Sequence, residues 1–191
     1  MHLYLVLLYI SMIVWIFPVI RQYRGNFFYY FLILAVTDPV NRFWFFFTGP
    51  SPNAYIYCIS SLLLYYSIDV RNQRISENWV SKLTLLLTFI AAMLLNTNYH
   101  LITTVLHIII LFKFIKIITV KLYNESKLNL FYLTLILYEL TIVLKMSLII
   151  VITETGTVFF HITMVFEMLI AVFFMIFKED NSKIIINLKS A

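Results

Sequence analysis

Residues 32–44 read LILAVTDPVNRFW, an apolar run that holds an acid, a proline, an amide and an arginine within five consecutive positions. The run lies inside a longer apolar segment, 27–47, which is long enough to cross the hydrocarbon core of a bilayer as a helix. Ionisable groups at that depth cost about 2.5–3.5 kcal/mol each on insertion scales, so they usually face partner groups or an internal cavity. The stretch therefore predicts a transmembrane helix with one polar wall.

The composition predicts that lipid is the main solvent of the whole chain. The 191 residues are 62% hydrophobic and 12% charged, and the mean hydropathy is +0.94. Ordinary soluble domains are about 45–50% apolar and about 25% charged. One water-soluble core cannot bury this excess, so we expect an integral membrane protein of a bacterial cytoplasmic (inner) membrane. The net charge of +5 is then a topology signal rather than a sign of nucleic-acid binding.

Seven apolar segments have spanning or near-spanning length, which predicts an all-α bundle of seven transmembrane helices in one domain, 1–177. Their bounds are 3–20, 27–47, 54–70, 79–95, 99–120, 128–152 and 157–177. Residues 178–191 are expected to form a short basic cytoplasmic tail.

Among the connections between the segments, lysine and arginine occur only in or beside alternate ones, and this pattern predicts the orientation. Eleven of them lie in or beside the first, third and fifth connections and the tail, whereas the other connections contain none. The positive-inside rule then places the N-terminus outside and the C-terminus in the cytoplasm, which requires an odd number of spans. The predicted cytoplasmic basic surface comprises Lys113, Lys116, Lys121, Lys127, Lys178 and Lys183.

A polar cluster is predicted in the middle and outer half of the bundle. Three carboxyls, those of Asp38, Glu139 and Glu167, lie near the middle of their segments. Arg42 and Lys145 lie about 6 and 9 Å further outward than the acids on their own helices, at about 1.5 Å of rise per residue. The full predicted cluster is Asp38, Asn41, Arg42, Glu139, Lys145, His161 and Glu167.

Local spacing predicts how some of these residues behave. Asp38 and Arg42 are four residues apart and can pair on one helix face. Pro39 removes one backbone hydrogen bond, so we expect a helix kink there. Glu139 and Lys145 point in different directions around their helix, and each is expected to reach a neighbouring helix.

Two interpretations of the cluster stay open on the sequence alone. It is either an ion-pair network that holds the helices together, or a binding cavity or proton-responsive switch. The chain lacks the GxSxG, HExxH, P-loop and dinucleotide-binding motifs. We therefore expect no enzyme activity, no cofactor and no metal site.

The predicted layout, seven helices with the N-terminus outside, is similar to that of rhodopsins, seven-helix receptors and the membrane modules of some bacterial sensor proteins. The similarity is one of architecture alone, and the last segment lacks the lysine that a retinal Schiff base would need. Our leading hypothesis is a receptor-like sensor or accessory signalling subunit that acts through a membrane or cytoplasmic protein partner. The alternatives are a small solute or ion (proton) transporter or channel subunit, and a structural subunit of a larger membrane complex.

Overall fold

The computed structural model describes residues 2–48, 53–69, 99–151 and 156–188, together with Leu83, Leu86, Leu87 and Ile90. Its described helices are α1 (His2–Arg21), α2 (Phe28–Thr48), α3 (Asn53–Asp69), α4 (Tyr99–Glu125), α5 (Leu130–Val151) and α6 (Gly156–Ile176). Two short strands, β1 (Lys127–Asn129) and β2 (Ile185–Asn187), and a 3-10 turn, Ser182–Ile184, complete the described elements.

The six described helices begin and end close to six of the predicted segments, except that α4 continues to Glu125. The predicted fourth segment, 79–95, lies outside the described residues apart from four single positions, all of which are helical. Three of the described helices contain a stretch that is long and apolar enough to cross a membrane, namely His100–Glu125, Leu130–Leu148 and Phe159–Ile176. In the part of the chain that the structure describes, the prediction of a helical membrane bundle is supported by six helices, three of which contain a candidate span; the described residues do not show seven spans.

Apolar side chains cover the outside of this bundle. Each described helix exposes a large hydrophobic residue: Ile13, Phe46, Leu63, Phe112, Leu144 and Leu169 are between 49% and 70% exposed. A continuous apolar exterior is costly in water and is favourable against lipid chains. A helix suits that environment because its backbone polar groups are satisfied internally. The surface therefore fits the membrane location that the composition predicts.

The described helices form a closed ring in chain order. Each of α1 to α5 packs against the next helix, and α6 packs against α1. The neighbours α3 and α4 run in the same direction, because Ser61 contacts His107 and, further along both helices, the Lys113 ammonium lies 3.2 Å from the Tyr65 ring centroid. The ring brings polar residues from every described helix toward one centre.

One end of the ring is closed by a group of polar contacts, which we call the basic-end cluster: Asn26, Lys121, Asn129, Tyr132 and Glu179. The Glu179 carboxylate accepts hydrogen bonds from Asn26 Nδ2 at 2.8 Å, from Lys121 Nζ at 3.1 Å and from the Tyr132 hydroxyl. Asn129 Nδ2 donates to the Glu179 carbonyl at 2.8 Å. This cluster ties the start of the C-terminal tail to the α1–α2 turn, α4, β1 and α5.

The tail is also paired with the rest of the chain through its backbone. Strand β2 runs antiparallel to β1, with Leu128 opposite Ile186. Ile184, just before β2, is 3% exposed and belongs to the main core. The segment that the sequence predicts only as a short basic tail is therefore a folded part of the bundle up to Leu188.

The turn from α1 to α2 depends on two residues at this end. Gln22 Nε2 donates to the carbonyls of Phe174 and Phe177 at 3.1 and 2.9 Å, which satisfies acceptors that the end of α6 leaves open. A Cβ at Gly25 would lie 2.9 Å from the Gln22 carbonyl oxygen, so only glycine fits without a backbone shift. The turn thereby holds the ends of α1 and α6 together.

Five phenylalanines form an aromatic plug above the basic-end cluster: Phe27, Phe31, Phe114, Phe131 and Phe174. None is more than 2% exposed. Phe131 lies at the centre, with ring centroids 5.5 Å from Phe27, 6.3 Å from Phe31 and 5.0 Å from Phe174. Edge-to-face and tilted ring pairs at these distances add favourable quadrupole contacts to the close packing. The plug joins α2, α4, α5 and α6 in one layer.

We expect Phe131→Ala to destabilise the protein strongly, because it removes the central ring of this layer. Truncating a buried Phe in a packed core typically costs about 3–5 kcal/mol. The matched control is Phe112→Ala on α4, whose side chain is 65% exposed. Thermal unfolding of both variants in the same detergent measures the difference, and equal effects would contradict the plug's structural role.

Candidate functional site

A central cavity of about 190 Å³ lies on the other side of the plug. On α4, Phe114 lies between Lys121 and His107, and on α6, Phe174 lies between Glu167 and the tail. All six described helices contribute residues to its wall. The polar members are Ser11, Thr37, Asp38, Tyr57, Ser60, Ser61, His100, His107, Tyr138, Lys145 and Glu167.

Lys145 and Glu167 form an ion pair across the cavity wall. Lys145 Nζ donates to the two carboxylate oxygens of Glu167 at 3.0 and 3.2 Å, which joins α5 to α6. The side chains are only 12% and 9% exposed. The Lys145 ammonium also lies 4.3 Å from the ring centroid of Phe160. Its described hydrogen-bond and ring partners therefore lie on α6, and it also acts electrostatically on Asp38 of α2.

Asp38 lines the same cavity from α2. It accepts a hydrogen bond from the Tyr57 hydroxyl of α3 at 3.2 Å, and Asn41 Nδ2 donates to that hydroxyl at 2.9 Å. Pro39 lies inside α2, which continues to Thr48. The polar wall of α2 thus faces α3.

The predicted pairing of Asp38 with Arg42 is not formed. Arg42 turns to the rings of Phe45 and Phe46, whose centroids lie 5.3 and 5.2 Å from its guanidinium carbon. Its Nε is buried without a hydrogen-bond partner. Arg42 and Asn41 line a second pocket of about 230 Å³, which shares Leu8, Asp38 and Tyr57 with the central cavity. Stacking on aromatic faces is a stable alternative to an ion pair for a guanidinium.

Glu139 lies next to the cavity in a chain of hydrogen bonds that we call the brace: Tyr30, Glu139, His107 and Ser61. The Tyr30 hydroxyl donates to Glu139 Oε1, and His107 Nδ1 lies 2.7 Å from Glu139 Oε2. His107 Nε2 lies 3.0 Å from Ser61 Oγ. The Glu139 side chain is completely buried. These contacts connect α2, α5, α4 and α3 in that order.

The proton count of the brace follows from its end at Ser61. Ser61 Oγ donates to the Tyr57 carbonyl at 2.8 Å, a bond back to the preceding helical turn. With that proton used, His107 Nε2–H is the donor to Ser61 Oγ. Nδ1 and the Glu139 carboxyl then hold one further proton between them, so the His107–Glu139 pair is electrically neutral overall.

Ser61, His107 and Glu139 place a hydroxyl, an imidazole and a carboxylate in the same order as in a hydrolytic triad. No sequence motif indicates that these three residues lie together. In a triad the serine hydroxyl must donate to the imidazole so that the base can remove its proton. Here the Ser61 hydroxyl donates to a helix carbonyl, and the residue is 1% exposed. The brace is therefore best interpreted as a connection among four helices.

The remaining predicted residues are distributed as follows. His161 lies on α6 outside the residues that line the central cavity. Lys113 packs on Tyr65, Lys121 belongs to the basic-end cluster, and Lys116, Lys127 and Lys183 are exposed. Lys127 and Lys178 line a groove of about 600 Å³ at the basic end, together with Arg24 and Lys121. The polar centre and the basic surface thus lie on opposite sides of the aromatic plug.

Sequence reasoning missed the contribution of α3. Tyr57, Ser60, Ser61 and Leu64 all line the cavity, and their spacing of i, i+3, i+4 and i+7 marks one face of a helix. This periodicity was the available signal. Within the described ranges, no three His, Cys, Asp or Glu side chains are grouped so that they could hold a metal ion.

Comparisons with known protein families, with curated proteins and with solved structures found no match to this chain. The site's own geometry is therefore the basis for any statement about function.

We expect His107→Ala to destabilise the protein far more than His100→Ala, although both histidines lie on α4 and line the cavity. Without His107 the completely buried Glu139 loses a partner, and breaking a buried pair from one side typically costs about 3–5 kcal/mol. His100 is exposed, so its removal leaves no such group. Thermal unfolding in detergent measures the contrast. Similar losses for the two variants would contradict the brace.

We expect Lys145→Met and Glu167→Leu to be non-additive, because each single change leaves the other charge buried alone. Residues in one ion pair typically show coupling energies of about 0.5–3 kcal/mol in a double-mutant cycle. A cycle that combines Glu167→Leu with the exposed Lys183→Met is the control and should be additive. Additivity within the Lys145–Glu167 cycle would show that the pair is energetically irrelevant.

Proposed function

We propose that this protein is a seven-helix membrane sensor or accessory signalling subunit, with its N-terminus outside. It would bind a small polar ligand in the central cavity and pass the change to a partner at the basic end. The observation that carries the proposal is the cavity itself, whose wall includes residues from all six described helices and which is separated from the basic end by the aromatic plug. A site made from every helix can respond to a ligand by shifting their relative positions.

The chain direction supports the seventh crossing. Because α3 and α4 run in the same direction, α3 ends at the end of the bundle opposite to the start of α4. We propose that residues 70–98, which include the predicted span 79–95, return the chain across the membrane. The groove at the basic end of the bundle is lined by several basic residues, which supports a cytoplasmic location for the basic end.

A continuous set of contacts supports communication between the two ends. Tyr30 of the brace packs edge-on against Phe27, with ring centroids 6.4 Å apart. Phe27 in turn lies 5.8 Å from the Tyr132 ring, and the Tyr132 hydroxyl donates to Glu179. A ligand that moved the brace would therefore act through two rings on the residue that holds the tail. The tail and the groove beside it form the surface that we assign to a protein partner.

A transporter or ion-conducting subunit is the second candidate, since Asp38 and Glu167 place two carboxylates in one cavity. The five packed rings of the plug argue against it, because a conducting path needs polar or hydrated surface throughout. Intramembrane carboxylates occur in both sensors and carriers. A polar path from the carboxylates to the basic end is therefore the feature that would distinguish a carrier from a sensor.

In liposomes that contain only this protein, we expect no flux of protons or monovalent cations above that of protein-free vesicles, because the plug blocks the bundle. A pH-sensitive dye inside the vesicles and an imposed gradient provide the measurement. Flux that disappears in the variant Asp38→Asn, Glu167→Gln would overturn the sensor proposal in favour of transport. Flux that persists unchanged in this variant would contradict the expected seal of the plug, but it would not support transport through the cavity carboxylates.

A further inference from the structure

We infer that the central cavity binds a small organic cation, an amine or a quaternary ammonium compound. The inference rests on the proposed function, because it names the class of ligand for the same cavity. Three features of the described residues carry it: the balance of charge, the accessibility of one carboxylate, and the size and aromatic character of the wall.

The charged groups of the described wall include two carboxylates and one ammonium group, so the carboxylates outnumber the ammonium groups. Two carboxylates, Asp38 and Glu167, face one ammonium, that of Lys145. The Lys145 ammonium is hydrogen-bonded to Glu167, because Lys145 Nζ lies 3.0 and 3.2 Å from the two carboxylate oxygens of Glu167. The neighbouring His107–Glu139 pair adds no net charge when Ser61 donates to the Tyr57 carbonyl. The excess charge therefore belongs to Asp38.

Asp38 is placed to receive a cation. Among the described residues its one hydrogen-bond donor is the neutral Tyr57 hydroxyl at 3.2 Å. Lys145 acts on it electrostatically, but the Lys145 ammonium donates its described hydrogen bonds to Glu167. The side chain is only half-buried and borders both the central cavity and the adjoining pocket. A carboxylate inside a bundle of this kind is stabilised by a positive group that enters the cavity.

The same groups disfavour an anion or a zwitterion. Inside the central cavity, an anionic ligand would approach Asp38 and would have to displace Glu167 from Lys145, because Arg42 lines the adjoining pocket and not the described wall of this cavity. A zwitterion could place its ammonium at Asp38, but its carboxylate would have to compete with Glu167 for Lys145. A cation needs no existing ion pair to break.

Size and aromatic character narrow the class further. An engineered cavity of about 150 Å³ holds a benzene molecule, so the cavity of about 190 Å³ accepts a slightly larger ligand. Trp15, Tyr57 and Tyr138 line the same cavity as Asp38. Aromatic rings around a carboxylate are a common way to bind alkylated ammonium groups, because the ring faces attract the diffuse positive charge.

Titration of the purified full chain in detergent with methylammonium and with tetramethylammonium tests the inference. Isothermal titration calorimetry at constant ionic strength should show saturable binding of at least one of the two cations and none of sodium acetate. Asp38→Asn should weaken that binding by at least about tenfold, as expected when the charged partner of a buried polar contact is removed. The matched control is Asp180→Asn, an exposed carboxylate at the basic end, which should bind as the wild type does.

Absence of saturable binding by either cation, at neutral and at mildly acidic pH, would overturn the inference. So would an affinity that Asp38→Asn leaves unchanged, or saturable binding of acetate to the wild type. If Asp38→Asn cannot be purified in folded form, the wild type alone still tests the inference, because its binding of the cations can be compared with its binding of acetate. If no cation binds and the liposomes show no flux, only the proposed ligand class is overturned. Flux that the variant Asp38→Asn, Glu167→Gln abolishes would overturn the sensor proposal whether or not a cation binds.

Discussion

The Glu139 carboxyl group, which has no contact with solvent, determines much of the arrangement around it. A carboxyl group in an apolar interior needs hydrogen-bond donors for its oxygens, because an unsatisfied or unpaired group there costs several kcal/mol. Tyr30 supplies a donor from α2 and His107 supplies a partner from α4. Since His107 also contacts Ser61 of α3, satisfying one carboxyl group brings four helices to defined positions. The cavity lies where these helices meet α1 and α6.

Between the brace and the basic end of the bundle, the interior changes from polar to aromatic. Phe27, Phe114 and Phe131 fill the space between the brace and the basic-end cluster, and none of them is more than 2% exposed. The bundle is therefore divided into a polar centre and a polar end with an apolar layer between them. This division separates the two candidate functions physically, since a sensor needs only a mechanical connection through the layer whereas a carrier needs a path for its substrate.

Some of the polar residues that line the cavity stand out in the sequence, and others do not. Asp38, Lys145 and Glu167 stand out because a charged residue inside a long apolar segment is rare, and the structure brings these three to one cavity. Tyr30, Tyr57 and Tyr138 do not stand out, because the chain contains 13 tyrosines and most of them can serve equally well at an interface or in a core. Arg42 shows a different limit: its spacing from Asp38 permits a pair, but the nearby rings of Phe45 and Phe46 take its guanidinium instead.

The sequence by itself determined that the chain is helical and apolar, and which charged groups lie near the middle of the apolar segments. These properties follow from hydrophobic content and segment length, both of which can be counted along the chain. Only the tertiary structure decided that the residue range 32–44 shares a cavity with α5 and α6, that Glu139 pairs with His107, and that the tail folds back onto β1. The physical reason is that helical periodicity defines the faces of each helix, whereas the neighbour that each face meets depends on packing among all the helices at once.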